Sequence, residues 1–419
     1  MKKFMIIWAG ELIANIGSGM TAFALAVYVY QMTGSVTWVS AVTLMAYLPT
    51  VLLNPIGGIL ADRYDRRTMM ICGDLFSAFG LIYILLSIQT GHAGIAPILI
   101  GVTVNAVFVS LLDPAYKATI TDLLSEEEYA KASGLVQLAG NAKYLISPAL
   151  AGLILGFTDI RIILIIDIMT IFVTVFAVAS VRKSIPKVRA RNGSFNIIGE
   201  LKEGIQVLAR NKGVSALVVL MALMCFFIGF IQTLIVPMML PISDAKTVGI
   251  MESISAIGML VGSIIIGGFG IKKHYSKVLT AGLICSGGFM ALTGVSTSIP
   301  FILGACILFF ASLPFVNTCA DVLIRVSIPN EVQGRVWGLV SLLTQIGYVM
   351  AYAVCGLLAD HVFEPLLQEN GSLAHSIGAV IGTGDGRGIG LMLIIAGGFM
   401  MLSAFFLANR KSIRTIKVA

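Results

Sequence analysis

Long runs of apolar residues, separated by short clusters of charged and turn-forming residues, divide the chain into twelve segments. Each run is long enough to cross the roughly 30 Å hydrocarbon core of a bilayer as a helix. Because the runs show no alternation of apolar and polar positions, the pattern favours helices over membrane barrel strands. The predicted spans are 4–30, 36–61, 69–88, 95–116, 133–157, 160–181, 213–239, 248–271, 277–297, 300–324, 336–358 and 389–408.

The composition agrees with a membrane protein and excludes soluble classes. Of the 419 residues, 58% are hydrophobic and 12% are charged, whereas about a quarter of a soluble domain is charged. A soluble enzyme, a disordered chain and a nucleic-acid binder are therefore excluded, and membrane lipid is an expected partner. The six cysteines lie inside apolar runs without a C-x-x-C spacing, so we expect neither a disulfide nor a zinc site.

The basic residues predict how the chain is oriented. If the N-terminus is cytoplasmic, 24 of the 28 lysines and arginines fall in inner segments. Since cytoplasmic loops carry an excess of basic residues, both termini are expected to be cytoplasmic.

A linker and a repeat divide the chain into two halves. Residues 183–212 are rich in basic residues and separate six spans from six, which predicts an N-terminal bundle over 1–182 and a C-terminal bundle over 213–419. A shift of 204 positions places Gly134-Leu135-Val136 on Gly338-Leu339-Val340 and Tyr144 on Tyr348. We therefore predict an all-α integral membrane protein with twelve transmembrane helices in two pseudo-symmetric six-helix bundles.

The turn between the second and third spans reads G-I-L-A-D-R-Y-D-R-R over residues 58–67. It resembles the G-x-L-A-D-R-x-G-R-R loop of the major facilitator superfamily, with Asp65 where that family usually has glycine. The resemblance implies that Asp62 caps the cytoplasmic end of the eleventh span and that Arg66 pairs with Asp113 or Asp122, as a charge latch. The alternative is that the arginines only fix topology. The predicted latch consists of Gly58, Asp62, Arg63, Arg66, Arg67, Asp113 and Asp122.

The fifth span contains S-P-A-L-A-G at 147–152. This resembles a degraded form of the G-x-x-x-G-P-x-x-G-G motif of the family's drug:proton antiporters, with Lys143 and Ser147 at its first two glycine positions. Small residues let helices approach closely, and two glycines in the eighth span offer a matching face. Ordinary helix packing is the alternative. The predicted packing residues are Ser147, Pro148, Ala151, Gly152, Gly258 and Gly262.

Charges inside apolar spans are costly and indicate function. Glu11 and Lys143 lie at similar depth, and we hypothesise that they pair and that protonation of Glu11 is linked to substrate release. A static ion pair is the alternative. Asp167 is a further candidate for a proton site, with a hydrogen bond to a neighbouring hydroxyl as its alternative role.

Polar and amphipathic residues inside the spans are candidates for the wall of a substrate cavity. Hydrogen bonding between membrane helices is the alternative for each of them. The candidates are Asn15, Asn141, Tyr144, Gln232, Asn317, Gln345 and Tyr348.

The resemblance extends over nearly the whole chain and points to the macrolide-efflux-like branch of the superfamily. It is carried by I-W-A-G at 7–10, the loop at 58–67, S-P-A at 147–149 and R-N-K-G at 210–213. It implies a monomeric transporter in the bacterial cell membrane that exports an amphipathic, macrolide-like small molecule in exchange for protons. An exporter of an endogenous metabolite, such as a siderophore or lipid-like molecule, is the alternative within transporters, and a membrane enzyme or receptor is the alternative outside them.

Several enzyme motifs are missing from the sequence. The chain has no G-x-x-x-x-G-K-[ST], H-E-x-x-H or G-x-S-x-G, so we expect no P-loop ATPase, enzyme activity, metal or cofactor. The glycine-rich stretch at 382–388 is interpreted as turns leading into the twelfth span, after an unusually long outer segment over 360–390.

Overall fold

The computed structural model describes residues 1–92, 94–181, 205–206, 208, 211–271, 274–328 and 333–409. The predicted linker at 183–212 therefore lies mostly outside the described residues. In the described part, every regular element is helical. Twelve helices, counting one that is broken in the middle, are long and apolar enough to cross a membrane, which confirms the number of predicted spans.

The first six spans contain seven helices because the fifth span is divided. The helices are α1 (Lys2–Thr33), α2 (Val36–Arg63), α3 (Arg66–Gln89), α4 (Ile95–Leu123), α5 (Tyr129–Leu145), α6 (Ser147–Leu155) and α7 (Ile160–Val181). A short 3₁₀ turn at Glu126–Glu128 precedes α5.

The remaining spans are followed or joined by shorter helices near the end of the chain. They comprise α8 (Lys212–Met239), α9 (Ala245–Phe269), α10 (Tyr275–Val295), α11 (Ile299–Ser327), α12 (Gln333–Leu358), a π-helical turn (Ala359–Phe363), α13 (Glu364–Leu367), α14 (Gly378–Ile381) and α15 (Arg387–Asn409).

The chain divides into two compact units. The first contains Met1–Gly193 and Ser243–Ser253, and the second contains Ser194–Ile242 and Ile254–Ala419. In the first unit, α3 packs on α4 and α7, and α1 packs on α5 and α7; in the second, α10 packs on α11 and α15, and α8 packs on α12 and α15. The two units thus pair equivalent helices, as the internal repeat predicts. The proposed boundaries at 182 and 213 stay a prediction.

The fifth span is not the continuous helix that its hydrophobicity predicts. It is interrupted at Ile146, between α5 and α6. Pro148 lies two residues further on, and a proline inside a helix has no N–H to donate and clashes with the carbonyl group four residues before it. The break therefore follows from Pro148, whose effect on helix geometry is not visible in the pattern of apolar residues.

The long outer segment of the second unit is built from short, ordered elements. Glycines 382, 384 and 386 have φ values of 94°, 98° and 81°, which confirms the predicted turns before the twelfth span. The carboxylate of Glu364 accepts hydrogen bonds from the N–H groups of Gly386, at 3.3 Å, and Ile389, at 3.0 Å. Glu364 therefore satisfies free N–H groups at the start of α15.

Candidate functional site

The turn between α2 and α3 places Arg66 on the end of α4. The Nη1 atom of Arg66 lies 2.5 Å from Oδ2 of Asp122, and its Nε atom donates to the carbonyl oxygen of Ala61 at 3.1 Å. Of the two predicted acidic partners, the structure gives Asp122. Asp113 is not that partner, because it pairs with Lys117 one helical turn away on α4, with an Nζ–Oδ2 distance of 2.8 Å.

Asp65 shapes the same turn, although the sequence motif treats it as a departure. Its Oδ1 atom accepts a hydrogen bond from the backbone N–H of Arg67 at 3.0 Å, so it caps the N-terminus of α3. Its carboxylate also pairs with the Arg67 guanidinium at 2.9 Å, and this pairing lowers the pKa of Asp65 below its usual value. An aspartate directly before an apolar run is a recognised helix-start signal, so the sequence contained the information.

The remaining residues of the predicted latch are less constrained. Arg63 is exposed, and a side chain at Gly58 would meet no atom within 4 Å. The side chain of Asp62 lies outside the described part of the structure. Its role at the end of the eleventh span therefore stays a prediction.

The predicted ion pair between Glu11 and Lys143 is wrong. The Oε1 atom of Glu11 accepts a hydrogen bond from Asn15 at 3.2 Å, and the charged side chains that act on Glu11 include Asp113 and Lys117 of α4 but not Lys143. Lys143 acts instead on Asp167 of α7. The assumed similar depth was also wrong, because the backbone of Lys143 meets α1 at Gly19, eight residues beyond Glu11.

Asp167 lies in a polar pocket between α1, α5 and α7. Its side chain is 4% exposed, and no ion pair shorter than 4 Å joins it to Lys143, both of which the structure describes. The Thr170 hydroxyl donates to its Oδ1 atom at a long 3.4 Å. The hydroxyl of Thr21, which is 5% exposed, interacts with Asp167 but makes no hydrogen bond of standard geometry to a described residue. This pocket therefore holds a buried carboxylate that is only partly satisfied.

Two glycines of α1, which sequence reasoning missed, make this pocket possible. A Cβ atom at Gly17 would lie 2.8 Å from Oδ1 of Asp167 and 2.5 Å from the Thr170 hydroxyl. A Cβ atom at Gly19 would lie 2.7 Å from the carbonyl oxygen of Lys143. Since such distances are too short for a carbon atom, only glycine permits this approach of α1 to α5 and α7. The sequence G-S-G at 17–19 could have indicated this close approach of helices, because small residues favour it.

The small residues of α6 pack as predicted at one position and differently at another. Ser147 is buried and donates to the carbonyl oxygen of Ile16 at 2.9 Å. Within the first unit, Gly249 of α9 lies directly against the backbone of Pro148 and Gly152. The N–H of Ala149 donates to Oγ of Ser253 at 3.0 Å.

The predicted match between α6 and the glycines at 258 and 262 is therefore wrong. In the second unit, Gly258 packs against the backbone of Ile307 and Gly262 against that of Ala311, both in α11. Ala151 of α6 is fully buried, in agreement with a packing position. Small residues occur at several positions along α9. The sequence alone does not indicate which of these positions packs against which neighbouring helix.

In the second unit, three of the predicted polar residues lie around one pair of helices. The Tyr352 hydroxyl donates to Oε1 of Gln232 at 3.0 Å, which joins α12 to α8. The rings of Tyr348 and Tyr352 are 6.1 Å apart, and both face Gly229 of α8. Gln345 lies on the same helix and donates to Ser341 at 3.5 Å. Tyr352 was missed, although it follows Tyr348 by one helical turn.

The structure does not bring the other predicted cavity residues together in one site. Asn141, Tyr144 and Asn317 have exposed side chains, and Asn15 donates to Glu11 on its own helix. Their contribution to a substrate cavity stays a prediction.

Comparisons with known proteins agree with this geometry. The family model described as Major Facilitator Superfamily matches residues 7–352. Macrolide efflux protein A of Streptococcus pyogenes is 28% identical over 367 residues, which cover 86% of this chain and 90% of that protein. Macrolide efflux protein A of Enterococcus faecalis is 29% identical over 308 residues, covering 72% and 94%.

The fold also has counterparts among solved structures. A bacterial homologue of the human lysosomal transporter Spinster, in an inward-facing and unoccupied conformation, superposes with a TM-score of 0.73 at 13% sequence identity. The superposition covers 99% of this chain and 97% of that one. At such low identity the likeness describes the fold alone.

Proposed function

Because the chain belongs to the Major Facilitator Superfamily, we propose that this transporter exports amphipathic small molecules, such as macrolide-like compounds, in exchange for protons. The export direction and the substrate class are taken from the similarity to Macrolide efflux protein A along 86% of the chain. The proposed location is the bacterial cell membrane with both termini cytoplasmic, as the distribution of basic residues indicates. The protein acts as a monomer and a transporter, with no enzymatic role.

The observation that carries proton coupling is the buried carboxylate of Asp167 beside Lys143. A charge inside a membrane span is costly, so a carboxylate there is favoured in its neutral, protonated form until a cation or water reaches it. Lys143 supplies a positive charge close enough to act on Asp167 without a direct ion pair. Asp167 can therefore take up a proton and release it again as its distance from Lys143 changes. Glu11 is the second candidate for proton coupling.

The latch at the turn between α2 and α3 supplies the conformational part of the proposal. Within the first unit, the Arg66–Asp122 pair and the Asp65 cap hold the turn in place. The proposed partner of Asp62 is the cytoplasmic end of the eleventh span, where a carboxylate interacts favourably with free N–H groups. Breaking this contact would accompany the change between outward-facing and inward-facing states.

The substrate path is proposed to use polar and aromatic residues of both units. Gln232, Tyr348 and Tyr352 offer two hydroxyls, an amide and two rings on adjoining helices. Asn15, Asn141, Tyr144, Asn317 and Gln345 complete the proposed set. Aromatic faces with few polar groups suit an amphipathic compound, because most of its surface is apolar.

Transport by purified protein in proteoliposomes tests this function. A pH gradient imposed across the vesicle membrane should drive erythromycin uphill in vesicles with the wild-type protein. Asp167→Asn should abolish uphill movement and retain exchange of labelled for unlabelled erythromycin, because the neutral side chain mimics the protonated carboxyl but cannot release a proton. Asp159→Asn is the matched control, since Asp159 is an exposed carboxylate that pairs with Arg161 at 2.8 Å.

Two results would count against the proposal. Full uphill transport by Asp167→Asn would remove Asp167 from proton coupling. No movement of erythromycin or of other amphipathic compounds under any imposed gradient would contradict drug export and favour an endogenous metabolite as the substrate.

A further inference from the structure

Three carboxylates of the first unit lie at one depth on three different helices. They are Glu11 in α1, Asp74 in α3 and Asp113 in α4, and each lies eight to ten residues from the predicted cytoplasmic end of its helix. At 1.5 Å per residue this is about 12–15 Å from the helix ends. Glu11 interacts electrostatically with both Asp113 and Asp74. We call these three residues the acidic layer.

The acidic layer contains three carboxyl groups and is acted on by one basic side chain. The cation that acts on it is Lys117, which pairs with Asp113 at 2.8 Å and also acts on Glu11. Asp74 is deeply buried and interacts with Thr174, a neutral side chain. A buried carboxyl group without a basic partner is favoured as the neutral acid, and an incoming cation stabilises its ionised form.

Tyr116 lies one helical turn from Asp113 in α4, and its buried hydroxyl has no partner among the described residues. The side chain of Tyr116 is 2% exposed. It interacts electrostatically with both Glu11 and Asp113. Since buried polar groups are almost always paired, an orphaned hydroxyl beside two carboxylates indicates a missing ligand or water.

The layer is accessible from one side. The side chains of Asp113 and Lys117 are 40% and 64% exposed, although both lie inside a membrane span. Charged side chains in a span face water-filled space and avoid hydrocarbon. The path inwards therefore passes from the exposed Asp113–Lys117 pair to the buried hydroxyl of Tyr116 and to Glu11.

We propose that Glu11, Asp113 and Tyr116 form a subsite for the protonated amine of the exported compound. A protonated amine fits because its positive charge is attracted by two carboxylates and by an aromatic ring, and because its N–H can donate to one of the oxygens. In the described part of the chain, no group of three acidic, histidine or cysteine residues is arranged to hold a metal ion. Lys117 is displaced from Asp113 when the amine binds.

This inference rests on the proposed export function and narrows its substrate class. The exported compounds are amphipathic weak bases that carry one ammonium group at neutral pH. A neutral compound of the same shape would lack the charge-assisted hydrogen bonds and would bind less tightly.

Equilibrium binding to the purified protein in nanodiscs tests the subsite with two probes of nearly equal shape. Erythromycin carries a dimethylamino group that is protonated at neutral pH, whereas erythromycin N-oxide carries no ammonium group. The wild-type protein should bind erythromycin about tenfold to a hundredfold more tightly, as expected for one charge-assisted hydrogen-bonded contact. Asp113→Asn should lower the affinity for erythromycin by a similar factor and leave that for the N-oxide unchanged.

Tyr116→Phe separates a binding role from a structural one. Because it removes a buried hydroxyl without a partner, the variant should be at least as stable as the wild-type protein. It should nevertheless bind erythromycin more weakly while its affinity for the N-oxide stays the same. Asp159→Asn is the control for the loss of a carboxylate away from the acidic layer.

The outcomes distinguish this inference from the function on which it rests. Equal affinity of the wild-type protein for both probes, or unchanged erythromycin binding by Asp113→Asn and Tyr116→Phe, would overturn the amine subsite and leave export standing. Binding of neither probe to the wild-type protein would contradict the proposed drug-export function itself.

Discussion

The contact of Gly17 with the Asp167 pocket gives the sharpest structural prediction. In Gly17→Ala, the new Cβ atom would lie 2.5 Å from Oγ1 of Thr170, 2.8 Å from Oδ1 of Asp167 and 3.1 Å from Cγ2 of Thr170. All three atoms belong to α7, which itself packs on α1. The two helices must therefore move apart or the side chains must leave their present rotamers.

The size of this effect can be worked out against a matched glycine. Overpacking of a well-packed interior costs about 1–3 kcal/mol, whereas alanine in place of glycine inside a helix gains about 1 kcal/mol. Gly17→Ala should therefore lower the free energy of unfolding by up to about 2 kcal/mol. Gly140→Ala in α5 is the control, because a Cβ atom there meets nothing within 4 Å. The two variants should differ by about 1–3 kcal/mol.

Unfolding by sodium dodecyl sulfate in mixed micelles measures these differences. Thr170→Ala removes two of the three clashing atoms, so the double variant Gly17→Ala/Thr170→Ala should regain part of the lost stability, as a coupled pair does. If Gly17→Ala is as stable as Gly140→Ala, α1 does not approach α7 as described, and the pocket around Asp167 is open.

Two further predictions concern the helix caps of the first and second units. Asp65→Asn should destabilise the protein by about 0.3–1 kcal/mol at neutral pH, because asparagine keeps the cap but loses the charge that pairs with Arg67. Because the pKa of Asp65 is lowered in the folded state, this stabilisation is present above its unfolded pKa and is lost as the pH falls through the folded value, so the difference in unfolding free energy should vanish in acid. A constant difference from neutral to acidic pH would contradict the Asp65–Arg67 pairing. Glu364→Ala should destabilise the protein by about 1 kcal/mol and speed hydrogen exchange at the N–H groups of Gly386 and Ile389, which would then lack their acceptor. Unchanged exchange at these two groups would count against Glu364 as a cap.

The sequence predicted the twelve spans and the family because both depend on features that are local in the chain. A run of about 20 apolar residues reports a membrane helix wherever its neighbours lie, and the loop at 58–67 carries its motif within ten residues. The match of the family model over residues 7–352 confirms the resemblance that this loop carries.

The pairing of side chains between helices was less predictable. In a helix that is apolar on every side, the sequence pattern does not indicate which face packs against which neighbouring helix. Asp113 and Asp122 lie nine residues apart on α4, as do Gly249 and Gly258 on α9. Nine residues are about two and a half turns, or roughly 13 Å, and point to opposite faces. To choose which of two such positions makes a contact, one must know where the neighbouring helix lies, and the sequence does not give that.

The wrong pairing of Lys143 with Glu11 has a related cause, since both the height and the face of a side chain depend on the neighbouring helix. Counting residues from the predicted helix ends placed Glu11 and Lys143 at similar depth, but Lys143 meets α1 at Gly19, eight residues beyond Glu11. The rotation of α1 is fixed by Gly17 and Gly19, which allow contact with α7 and α5 only on one side. The partners of the intramembrane charges are therefore set by small residues that carry no charge themselves.

Proton movement driven by substrate is the measurement that tests proton-coupled export most directly. Proteoliposomes are loaded with a pH-sensitive dye, and an erythromycin gradient is imposed in the absence of any initial pH difference. The account predicts a change of internal pH beyond that of protein-free vesicles, and its loss in Asp167→Asn but not in Asp159→Asn. Erythromycin that crosses through the protein with no accompanying change in internal pH would contradict antiport.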